Sequence, residues 1–179
     1  MSAGEAYAGS RDRRFVAISR GGTLSDADHR LLAVWAAECA QHVLRNFSAV
    51  RPHDDRPELA IEAARAWSRG EMPMTQAREA AYAAHDAARE SSGAAAAAAR
   101  SAGHAAATAH MADHELGAAA YAIRSARAAS APDGGDGAGR GECLWQREQL
   151  PEAIRELVLD DERLRNRKFW SAFDCGPES

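Results

Sequence analysis

Lysine is almost missing: Lys168 is the only one in 179 residues, and arginine carries the remaining positive charge. With 22 basic and 26 acidic side chains the net charge is -4, which excludes the strongly basic field of a nucleic-acid binder. Cysteine is scarce as well. Cys39, Cys143 and Cys175 are odd in number, far apart and without any C-x-x-C pair, so neither a disulfide framework nor a cysteine zinc site is expected. No window holds enough strongly apolar residues to span a bilayer, so no membrane contact is expected. The opening Met1-Ser2-Ala3-Gly4-Glu5-Ala6-Tyr7 has no basic stretch followed by an apolar one, the pattern of a secretion signal. A reduced, cytoplasmic chain is the expectation. Catalytic signatures are missing too: there is no Walker loop, no G-x-G-x-x-G behind a strand and no G-x-S-x-G elbow.

What fills the sequence is alanine, above all in the run from Ala94 to Ala129. Alanine is the best helix former because it loses no side-chain entropy, and a surface of methyl groups lets neighbouring helices approach closely. Unbroken, this run would be about 54 Å long at 1.5 Å per residue. The radius of gyration expected for such a chain is about 16 Å. A break is therefore expected near Met111-Ala112-Asp113, with Asp113 capping a second helix that carries Leu116, Ala120, Ile123 and Arg127.

The remainder reads as further helices. Ser25 can cap a helix on which Leu31, Trp35, Cys39, Val43 and Phe47 recur every four residues, the strongest periodic signal in the chain. Asp55 can cap another, with Pro57 in its first turn and Gly70 at its end. A third spans about Met74 to Glu90. Phe15-Val16-Ala17-Ile18 reads as a short extended segment. Beyond a glycine-rich stretch, Glu142 to Gln149 forms a short helix, and Pro151 starts one that carries Ile154, Leu157 and Val158. The expectation is one all-α domain, a compact alanine-rich bundle of six or seven helices around a central helix or helix pair at about 94–129. Residues 1–14 are a disordered N-terminus, 15–129 the helical core, and 130–140 a flexible connector. Residues 141–173 are C-terminal helices of the same domain, and 174–179 a disordered tail.

Two clusters could carry chemistry. His110 and His114 stand four apart, so on an intact helix they share a face, and that spacing can hold zinc if a third ligand arrives. His104 lies about 120° round from His110 and about 9 Å along the axis, so it cannot complete the set without a kink. Met111 stands where an H-E-x-x-H motif would have its glutamate. The plainer reading is that these imidazoles hydrogen-bond between close-packed helices or line a shallow groove. Asp54, Asp55 and Arg56, near Glu58, Glu62 and Arg65, are the second cluster. Its carboxylates could do acid–base work only if burial separated their pKa values; helix capping and salt bridges account for them more simply. Arg163, Arg165, Arg167 and Lys168 adjoin Asp160, Asp161 and Glu162, so that tail is a solvated helix of mixed charge. No catalytic residue, cofactor or metal site is assigned.

Several stretches together resemble one family. They are Arg13-Arg14-Phe15-Val16 through Arg20-Gly21-Gly22-Thr23-Leu24, Asp28-His29-Arg30-Leu31-Leu32-Ala33-Val34-Trp35, and Asp54-Asp55-Arg56-Pro57 with Ala60 to Trp67. The most distinctive is Ala102-Gly103-His104-Ala105-Ala106-Ala107-Thr108-Ala109-His110, followed by His114 and Ala118 to Ala122; Trp145-Gln146 and Gln149-Leu150-Pro151 close the set. Over about residues 13–159 the chain resembles bacterial immunity proteins of the Imm-5-like family. The resemblance implies an all-helical, non-catalytic protein that neutralises a cognate toxin by binding it. Asp54, Asp55, Arg56, His104, His110 and His114 are then candidate partner-binding residues. The alternative is a histidine-lined protein for a small molecule or a metal, including an enzyme, built on His104, His110 and His114 with Asp113.

Overall fold

Ser25 sets the first helix as its sequence context requires: its hydroxyl accepts the Asp28 N–H at 3.0 Å, with Asp26 and Asp28 near the positive end of the helix dipole. In the computed structural model, which describes residues 11–176, seven helices of 13 residues or more follow one another and no strand is present among the described residues. They are α1 Asp26–Val43, α2 Arg56–Ser68, α3 Met74–Arg89, α4 Gly93–Ala107, α5 Glu115–Ala129, α6 Gly135–Glu148 and α7 Glu152–Arg165. About 73% of the described residues are helical, 3-10 turns included.

The alanine run is a helix pair, broken where compactness requires. Thr108 to Met111 turn the chain, a short 3-10 turn covers Ala112–His114, and α5 returns against α4. Hydrogen bonds fix their directions as antiparallel: the Ser101 hydroxyl donates to the Ala118 carbonyl at 2.7 Å, and Ser125 donates to the Ala94 carbonyl at 2.8 Å. Side chains reach the opposite backbone in one bond because only methyl groups lie between the helices. The alanines at 98, 99, 102, 105, 106, 118, 119, 120 and 122 are fully buried. On one flank α1 inserts Leu32, Trp35, Cys39 and Val43 among Leu116, Ile123, Ile154 and Val158. Each of these larger apolar side chains contributes roughly 1.5–3 kcal/mol by leaving water. The Trp35 indole also donates to the Gln146 carbonyl at 2.9 Å, tying α1 to α6. On the other flank α2 and α3 pack small residues against small, around Ile61, Ala84 and Ala102.

Several local expectations are corrected. Cys143 and Cys175 form a disulfide, both ends buried, with Cα atoms 6.2 Å apart. Spacing hid this pairing because a 3-10 turn at Asn166–Phe169 and a reversal at Trp170 fold the chain end back onto α6. The stretch 130–140 is not an unstructured connector throughout, since α6 begins at Gly135 and packs on α5 despite its glycines. Asp113 and Asp55 do not cap: no side-chain cap bond closes α2 or α5, and Asp54 rather than Asp55 accepts the Arg56 N–H, at 3.3 Å. The first helix ends at Val43, and Phe47 is buried from a separate turn, Arg45–Ser48. The Phe15–Ile18 segment is extended only at its centre: Val16 has extended backbone and Ala17 bridges to Leu24, while Phe15 and Ile18 belong to the 3-10 turns on either side. The disorder read for residues 1–14 and 174–179 lies, for 1–10 and 177–179, outside the described residues. Within them Arg14 pairs with Asp12 and Asp160, and Cys175 is buried.

Candidate functional site

The histidines of three elements meet because two glycines leave room for them. A Cβ on Gly103 of α4 would lie 2.6 Å from the His85 ring of α3, and one on Gly117 of α5 would lie 2.7 Å from the His104 ring of α4. Bare backbone therefore forms the seat of each imidazole. His85 and His104 meet edge to face at 5.1 Å between ring centres, His104 and His114 at 5.3 Å, and His114 and His110 at 5.3 Å. Tyr121 stacks on His104 at 5.3 Å and 15°, and Trp170 meets Tyr121 at 5.2 Å. The result is a row of six rings along the seam of the alanine pair.

Within the row the His104 and His114 Nδ1 atoms are 3.3 Å apart. One must carry its proton and donate while the other accepts, so the pair requires two neutral rings of unlike tautomer. Burial enforces neutrality. It drives His104 down to about 3, with His114 and His85 adding repulsion, and His114 down to about 4. His85 and His110 are lowered chiefly by burial as well. The Nδ1 atoms of His85 and His110 are buried without a hydrogen-bond partner. Among the described residues, no three His, Cys, Asp or Glu side chains converge as a metal site requires. Asp113, considered as a further ligand, instead holds the Arg11 guanidinium at 2.9 Å. The row can donate and accept hydrogen bonds, and its neutral rings can seat an apolar surface. It presents no activated nucleophile or base paired with an orienting group.

At the His110 end the row opens into a cleft of about 210 Å³, walled by Arg11, Arg20, His29, Trp67, Met74 and His110. His29 donates through Nε2 to the Thr108 carbonyl at 2.6 Å and lies 4.7 Å from the Trp67 ring. Arg11, His29 and Trp67 escaped the sequence reading because nothing in their spacing says that the N-terminal segment crosses α1 and α2 here. Behind the cleft the Arg165 guanidinium donates to the Asp113 carbonyl at 3.0 Å and pairs with Asp161 and Glu115. Burial, then the neighbouring Asp161 charge, pushes the Glu115 carboxyl well above the usual carboxylate range. Sequence reading passed over this residue, although Glu115 stands at helical spacing from buried Ala118, Ala119 and Ala122.

Asp54, Asp55 and Arg56 stand apart from the row. Arg56 pairs with Asp54 at 2.7 Å and Glu90 at 2.7 Å, and Arg51 pairs with Asp54 at 3.2 Å and Glu90 at 3.1 Å. The Arg56 hydrogen bonds hold both carboxyls below their usual range. This lattice clamps the start of α2 to the end of α3, while Asp55 stays exposed.

Residues 22–153 match the family model described as "Imm-5 like putative immunity protein". The match covers the distinctive Ala102–His110 stretch and the Asp54–Trp67 segment, and starts after the Arg13–Gly21 opening. No curated protein and no solved structure gives a significant match.

Proposed function

The chain belongs to the Imm-5-like immunity protein family, and on that premise we propose that it binds and neutralises a cognate bacterial toxin without catalysing a reaction. The family match carries this reading. The geometry supports it: a rigid bundle, an exposed acidic Asp55 beside fixed ion pairs, and a histidine row whose rings are held neutral suit recognition better than turnover. In this reading Asp54, Asp55 and Arg56 give charge complementarity, which steers encounter and sets specificity. His110 at the cleft mouth, backed by His114 and His104, offers a neutral ring surface with an unsatisfied Nδ1.

No helix among the described residues is long and apolar enough to cross a membrane. Cytoplasmic residence, where a toxin acting inside the cell would be met, is part of the proposal. Reducing conditions there oppose the Cys143–Cys175 disulfide. The chain end keeps other anchors there: Asn166 accepts the Phe173 N–H at 3.0 Å, and Arg147 donates to the Phe173 carbonyl at 2.9 Å.

Co-expression with the toxin-like product encoded beside this chain tests the reading. Growth is expected to be restored and a complex recovered; neither protection nor complex with any neighbouring product contradicts it. The second reading, a small-molecule protein, rests on one observation, the cleft where His29, His110 and Trp67 adjoin two arginines.

A further inference from the structure

We propose that the pocket between α5 and the chain's C-terminal turn binds an organic anion, a planar apolar ring bearing a carboxylate or a phosphate. This site is distinct from the histidine row's cleft and does not rest on the immunity reading. Ile123, Arg124, Arg127, Trp170 and Ala172 enclose a volume of about 290 Å³. That is near the lower end for small-molecule pockets, enough for one ring and its charged group.

Three features make it a built site. First, Arg127 lies across the bare backbone of Gly139, so closely that a Cβ there would come within 2.2 Å of Nε. Its Nε is buried with no hydrogen-bond acceptor. That leaves the Arg127 cation without a carboxylate, and an anion in the pocket that Arg127 lines would offset its charge. Second, the Arg124 guanidinium carbon stands 4.8 Å from the centre of the Trp170 ring. A guanidinium held over an indole keeps N–H groups free for an acceptor lying beside the ring. Among the described residues no carboxylate pairs with exposed Arg124 or with Arg127, although most other half-buried arginines are paired.

Third, the backbone is strained to present Trp170. It has φ 57° and ψ 31°, and Ser171 follows with φ 56°, both in the left-handed region that bulky residues avoid. The surrounding structure enforces this conformation. Ser171 N–H donates to the Asn166 carbonyl at 3.0 Å, Phe173 N–H to the Asn166 side chain at 3.0 Å, and Ala172 N–H to the Phe169 carbonyl at 3.0 Å. The outcome is an indole left 48% exposed at the pocket mouth, over a floor made by buried Ile123 and Ala172. Two unpaired guanidiniums, one aromatic wall and an apolar floor match a ring with an anionic substituent.

Calorimetry on the full-length chain tests this with phenyl phosphate and benzoate as ring-bearing probes, and inorganic phosphate and acetate as bare anions. At least one ring-bearing probe is expected to bind at least about tenfold more tightly than its bare counterpart, as stacking on an indole predicts. Arg127→Gln and Arg124→Gln are each expected to weaken it by about tenfold or more, the loss of a charge-assisted hydrogen bond. Trp170→Ala should weaken the ring-bearing probes alone. If Arg127→Gln fails to fold, exposed Arg124 remains the deciding position. No binding of either ring-bearing probe, or binding unchanged in folded Arg124→Gln and Trp170→Ala variants, overturns the proposal.

Discussion

Gly117 and His104 occupy one volume, and each explains the other. Replacing a helical glycine by alanine ordinarily stabilises by up to about 1 kcal/mol. Here the new methyl would meet His104 Nδ1 at 2.7 Å, so Gly117→Ala is expected to destabilise by about 1–3 kcal/mol, the usual cost of overpacking. In a His104→Ala background the same change should become stabilising, because the ring that blocks it is gone. Urea unfolding of the four proteins of this cycle reads the coupling directly, and a stabilised Gly117→Ala single variant would contradict the packing described.

The same imidazole predicts acid sensitivity. Its folded pKa, about 3, is far below its ordinary value near 6.5. The unfolded chain therefore binds the proton first, and stability falls as pH drops from about 6.5 towards 3. Between pH 7 and 5 one such group costs about 2 kcal/mol. His104→Gln should lose about 2 kcal/mol less than the parent over that interval in denaturant titrations; equal losses would show that His104 titrates normally in the fold. Hydrogen bonding among these imidazoles was legible in the sequence as the plainer reading; which rings meet, and the part of His85, Gly103 and Gly117, was not. The spacing of His104, His110 and His114 describes one helix, whereas the ring contacts arise across a helix break and between different helices.

Among the elements, legibility followed side-chain size. The i, i+4 stripe from Leu31 to Val43, the Ser25 cap, Gly70 past the end of α2 (φ 75°) and the break at 111–113 could all be read because each has a local cause. Helix α6 could not be read fully, since glycine gives no helical signal. It is helical from Gly135 because Gly139 admits the Arg127 side chain and because Cys143 and Gln146 anchor it in the interior. Its glycines are thus unequal. At Gly137 and Gly141 a Cβ meets nothing within 4 Å. Alanine at each should raise stability by about 0.5–1 kcal/mol through reduced backbone entropy of the unfolded chain. Alanine at Gly139 should not. Thermal melts that rise for 139 as much as for 137 and 141 would show that Arg127 does not lie across this helix. The disulfide stayed hidden for another reason: it depends on two consecutive left-handed residues, Trp170 and Ser171, whose types do not announce that conformation.

For the molecule as a whole, small side chains have one consequence that reaches function. Alanine and glycine bring α4 and α5 close enough for serine hydroxyls to bond the opposite backbone, and this closeness buries and neutralises the histidines. On the proposed reading, what remains for a partner is the exterior: exposed Asp55 beside its clamped neighbours and the cleft at His110. Family membership points to an immunity role, which the proposal above reads as binding. The most direct test titrates purified chain into its cognate toxin while toxin activity is followed. The account predicts a prompt loss that reaches completion at a fixed molar ratio and does not deepen with time. Inactivation by substoichiometric chain that progresses with incubation, or no inactivation at any ratio, would contradict it.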